Sequence, residues 1–74
     1  MNAAQCRMAR AALQIGVRDI ARLAQVAPGT ISRLEAGEEL KPRTIEAIKL
    51  AFEKAGIVFT NGDEPGVKLK KRKR

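Results

Sequence analysis

Chain breakers divide this 74-residue sequence before any other feature constrains it. Gly16, Pro28, Gly37, Pro42 and Gly56 cut its first 56 residues into four short segments. Isolated helices below about 12–15 residues are marginal in water, so segments of this size become stable only by packing on one another. The sequence therefore demands a bundle of short helices with tight connections.

Each segment has helical periodicity. In residues 2–14, Asn2 is placed as an N-cap and Gln5 completes a capping-box pattern. Cys6, Ala9 and Leu13 share one face, with Arg7 and Gln14 directed away. Gly16 opens a second helix over 17–24, with Ile20, Leu23 and Ala24 as its inward stripe and Ala21 at a helix crossing. Residues 25–27 form a turn. Pro28 suits the first position of a third helix, where a missing N–H costs nothing. Ile31 and Leu34 point inward, Thr30, Ser32 and Arg33 outward, and Gly37 ends the helix as a left-handed cap. After the polar loop EELKPR, a fourth helix opens at Pro42 or Arg43 and runs to about Ala55. Ile45, Ile48, Phe52 and Ala55 form its apolar face, and Leu50 falls off it.

Beyond Gly56 the pattern changes. GIVFT and GVKLK flank the turn sequence NGDEPG, which predicts a β-hairpin over about 57–69 with Ile57, Phe59, Val67 and Leu69 on its buried side. A lone two-stranded hairpin is marginal in water, so it must pack on the helices, pair with a second subunit, or both. Leu50, Ile57, Val58 and Phe59 are the candidate dimer contacts. The expected fold is mainly α: a compact four-helix domain with a terminal hairpin over residues 1–69, then a flexible basic tail over 70–74.

Composition narrows the function. One cysteine, Cys6, and no histidine exclude a disulfide framework, a zinc site of the usual kind, and Ser–His or Cys–His pairs. With no glycine-rich phosphate loop either, the chain reads as a non-enzyme without cofactor or metal. Cys6, among alanines, reads as a buried structural thiol. No apolar run approaches the roughly 20 residues of a membrane span, and Arg7 and Arg10 interrupt any signal-peptide core. A soluble cytoplasmic protein is expected.

The net charge of +7 is unevenly spread. Residues 1–33 set five arginines against Asp19 alone; residues 34–67 set seven acidic against four basic side chains; KLKKRKR then adds six positive charges. Clustered positive charge is a nucleic-acid footprint. Phe52 and Phe59 are the only aromatic residues. Single strands and RNA loops are held on stacking rings, so this scarcity points to duplex DNA.

Two short helices at the spacing of residues 17–36 form a device for entering the major groove. DIARLAQVAPGTISRLEAG, then a loop and TIEAIKLAFEKAGIVF, resembles the lambda-repressor-like, Cro-type (XRE-family) helix-turn-helix proteins, especially short bacterial members with a C-terminal hairpin. The resemblance covers residues 6–59. It implies a homodimeric transcriptional regulator, a repressor or autoregulator, that binds a palindromic operator through the helix at 28–36. It also implies a salt bridge between Arg10 and Glu35. Positions where the family commonly contacts bases include Pro28 and Gly29, which carry no hydrogen-bonding side chain. Base reading then falls to Thr30, Ser32 and above all Arg33. Val17, through its backbone, and Arg18, Arg22, Lys41, Arg43 and Thr44 are the candidates for the DNA backbone or minor groove. Two positions depart from the family: Gln25 stands at the usual turn glycine, and Gly16–Val17 replace a Ser or Thr cap followed by Gln. Readings with the same fold are an antitoxin, a restriction–modification controller, or a protein-interaction module that binds DNA only nonspecifically. The KKRKR run is expected to add phosphate contacts without sequence information.

Overall fold

The computed structural model describes residues 1–70. The expected basic tail lies outside the described residues except for Lys70, whose N–H donates to the Gly56 carbonyl at 2.8 Å and so extends the hairpin. Four helices, α1 (Ala3–Leu13), α2 (Val17–Ala24), α3 (Pro28–Glu35) and α4 (Pro42–Lys54), precede two antiparallel strands, β1 (Ile57–Thr60) and β2 (Gly66–Leu69).

The helix ends follow from local chemistry. Asn2 Oδ1 accepts the Gln5 N–H at 2.8 Å, and Gln5 Oε1 accepts the Asn2 N–H at 3.0 Å, a complete capping box for α1. Asp19 accepts the Gly16 N–H at 2.9 Å and stabilises the start of α2 with a negative charge in its first turn. α3 and α4 both begin with proline and have no side-chain cap. The first three helices stop in one way: a left-handed residue turns the chain, and the next N–H reaches back five residues. Ile15 N–H bonds Arg10 O, Val26 N–H bonds Ala21 O, and Glu38 N–H bonds Arg33 O. The turning residues are Gln14, Gln25 and Gly37, at φ 58°, 59° and 93°.

Cys6, Ala9, Ile20, Ala21, Ile31, Leu34, Ile48, Ala51, Phe52 and Ile57 form the core. The hairpin pairs Ile57 with Leu69 and Phe59 with Val67, and Phe59 meets Phe52 edge-on with ring centres 6.0 Å apart. α1 packs along β2, and α4 packs on β1.

Two inward expectations are corrected. Leu23 is 57% exposed. Val17, Ile20, Ala21 and Ala24 define the inward face of α2, and Leu23 lies roughly 110° from its centre at 3.6 residues per turn. Leu69, opposite buried Ile57, is 52% exposed because it sits beside the last turn of α1, where helix cover ends. A third correction concerns Ile57 itself. At 1% exposure its side chain is sealed in the core and offers a dimer partner nothing, whereas Val58 and Leu50 do face outward and Phe59 is half-buried.

The sequence reading also missed a clamp. The Gln5 side-chain amide donates to Thr60 O at 2.9 Å and to Gly66 O at 3.1 Å, across the turn end of the hairpin, while the residue is only 3% exposed. Gln5→Ala removes two side-chain hydrogen bonds that tie α1 to the hairpin and should cost about 2 kcal/mol, read as a lower urea midpoint. Gln25→Gly relieves a left-handed non-glycine residue and should add about 0.5–1 kcal/mol, raising the thermal midpoint by a few degrees.

Candidate nucleic-acid interface

The site begins with how α3 is anchored. Its inward residues Ile31 and Leu34 are buried. Glu35, at its last turn, accepts from Arg10 Nε at 2.7 Å and from an Arg10 terminal nitrogen at 2.8 Å, a bidentate fork. The Cys6 thiol donates to the same carboxylate at 3.2 Å, and Arg7 donates to the Glu35 carbonyl. The Arg10–Glu35 pair implied by the resemblance is thus present, with 24% and 10% of the two side chains exposed. The Arg10 guanidinium holds the Glu35 carboxyl below its ordinary value. Burial, reinforced by the hydrogen bond and charge of Glu35, pushes the Cys6 thiol up to about 12. At neutral pH Cys6 is therefore a protonated donor, consistent with a structural thiol.

On the opposite face of α3, Pro28, Gly29, Ser32 and Arg33 are exposed and Thr30 is half-buried. A Cβ at Gly29 would meet nothing within 4 Å, so the fold itself does not require a glycine there. Thr30 and Arg33 line a groove of about 550 Å³ with Lys41 and Thr44 of the α4 entry, together with Val26, Ala27, Glu39 and Leu40. Arg43 is exposed on the first turn of α4 but does not line the groove.

The remaining candidates stand apart from it. Val17 packs against the core, which leaves its backbone N–H at the start of α2 as its contribution. Arg18 is exposed, and Arg22 pairs with Asp19 at 3.1 Å on the surface. Two acidic residues entered unforeseen. Glu38 accepts from Arg33 Nε at 3.1 Å, and Glu39 lines the groove. The pattern EE immediately after Gly37 was the available signal, since the residue after a left-handed cap returns to the last turn of its helix.

No family model matches the chain, and no curated protein or solved structure matches it either. No described helix is long and apolar enough to cross a membrane, and among the described residues no group of three or more His, Cys, Asp or Glu could hold a metal ion.

Breaking the Arg10–Glu35 pair leaves one partly buried charge unpaired, so Arg10→Met should destabilise the fold by about 3 kcal/mol. The pH dependence has a definite sign. Because the folded-state pKa of Glu35 is depressed, the unfolded chain binds more protons in acid. The stabilisation is complete above the ordinary carboxylate value of 4.5 and fades as pH falls through the lower folded value. Glu35→Gln should therefore show a shallower acid limb than wild type in urea melts taken across pH.

Proposed function

We propose that this chain is a sequence-specific, duplex-DNA-binding transcriptional regulator that acts as a homodimer on a palindromic operator, with α3 in the major groove. The observation that carries this reading is the two-sided character of α3. One side is fixed by Ile31, Leu34 and the Glu35 cluster, and the other presents Gly29, Ser32 and Arg33 to solvent, with Arg33 sharing a groove with Lys41. A rigid helix with an unobstructed polar face is what groove reading needs.

The tip of the helix reads by closeness. Pro28 and Gly29 bring no side-chain donors, but a bare backbone at Gly29 lets the groove floor approach. Arg33 supplies the directional contact, a fork onto guanine O6 and N7 worth about 1–3 kcal/mol of discrimination. Arg43 and Lys41 follow the adjacent backbone or read minor-groove width. Glu38 and Glu39 lie against this basic edge, and their charge weakens attraction to duplex DNA of any sequence.

A second reading, a module whose partner is a protein, is favoured by a separate observation. Leu23 and Leu69, two of the most exposed large apolar side chains, line one open groove of about 690 Å³ with Leu13, Ile15 and Ala55.

Selection of bound duplexes from a random pool at near-physiological salt separates the two. The regulator reading expects a palindrome with half-sites about one helical turn apart; recovery of no motif, with binding that collapses as salt rises, overturns it. Gly29→Ala gives a finer check. Free-protein stability should rise by about 0.5 kcal/mol, since Ala restricts the unfolded chain at an unstrained helical site. Affinity for the selected duplex should fall, whereas unchanged affinity would remove the tip from the interface.

A further inference from the structure

The segment that ends α3 sets the backbone of Glu38 beside the last turn that carries Arg33. Gly37 adopts φ 93°, its N–H bonds Leu34 O at 3.0 Å, and the Glu38 N–H bonds Arg33 O at 3.0 Å. In this cap the residue after the left-handed position stands over the residue three places before the helix end, and an apolar contact commonly joins their side chains. Here an ion pair replaces it: Arg33 Nε to Glu38 Oε1 at 3.1 Å. More than half of each side chain is exposed. Exposed pairs of this kind contribute little to stability, so the pair's effect on the fold is small. Its effect on geometry is a bias, because it favours one arrangement of a long side chain that otherwise samples many rotamers.

The geometry points to Glu38 as a positioning residue for base recognition. The carboxylate engages Nε alone, and no other acceptor among the described residues meets the guanidinium. The two terminal nitrogens are left as a free, coplanar pair, the edge that matches guanine O6 and N7. Holding Nε biases the plane of that edge relative to α3 before DNA arrives, so less freedom is lost on binding. Glu38 therefore acts through Arg33 and raises the preference for guanine at one operator position, while its negative charge lowers affinity for every duplex alike. This assignment rests on α3 being the DNA-reading helix.

Random-pool selection with wild type, Arg33→Ala, Glu38→Ala and Glu38→Gln tests it, with thermal melts to show that each variant folds. Arg33→Ala identifies the guanine position. Glu38→Ala should keep the palindrome, bind all duplexes somewhat more tightly, and lose roughly two- to fivefold of the preference at that one position, the range an exposed ion pair can account for. Glu38→Gln keeps an acceptor for Nε without the charge, so it should retain most of the preference. If both Glu38 variants keep the full guanine preference and only gain overall affinity, Glu38 is a charge and not a positioning residue, and the regulator reading still stands. If wild type selects no motif at all, both fall together.

Discussion

The carboxylate of Glu35 is the constraint on which the arrangement of this small domain depends. Arg10 grips it with two nitrogens, Cys6 donates its thiol to it, and Arg7 reaches the carbonyl of the same residue. Three side chains of α1 thus converge on the last turn of α3. A chain of this size buries a small core, here ten residues among those described with partly buried apolar side chains packed around them. The polar cluster supplies direction where dispersion and burial supply only adhesion. Because Cys6 and Glu35 satisfy each other at the core margin, the cluster leaves no buried side-chain polar atom without a partner among the described residues.

A second constraint comes from the ends of the helices. Each of α1, α2 and α3 closes with a left-handed residue and an N–H that reaches back five residues, so the connections are tight. Two of these positions are glutamine, which accepts backbone strain that glycine would avoid. The third cap does more than stop a helix, since it brings the acidic side chain of Glu38 onto Arg33, the residue proposed to read bases.

Much of the fold was legible in the sequence because it is written in short-range signals. Asn2 and Gln5 formed their capping box, Pro28 and Pro42 opened their helices, and Ile31, Leu34, Ile48 and Phe52 fell where helical spacing put them. The misreadings share one cause: they depended on which direction a face points in three dimensions. Leu23 has the right period but the wrong side of an eight-residue helix. Leu69 alternates correctly yet extends to the end of the helix that covers its strand. Ile57, offered as a subunit contact, proved to be central to the core. The hairpin clamp of Gln5 was invisible because its acceptors lie 55 and 61 residues away. At the candidate site, the exposure of Ser32 and Arg33 and the grouping of Thr30, Arg33, Lys41 and Thr44 follow from the helix period and the short loop. The Arg33–Glu38 pair required knowledge of how the cap folds back.

The most direct test of the central claim is a map of backbone amide shifts as a duplex recovered from the random pool is titrated into the protein. The account requires the changes to concentrate on Gly29, Thr30, Ser32 and Arg33 and to continue through Lys41, Arg43 and Thr44. Changes centred instead on Leu13, Leu23, Ala55 and Leu69, or absent from α3 while salt-sensitive elsewhere, would contradict it and make the apolar groove the working surface of the protein.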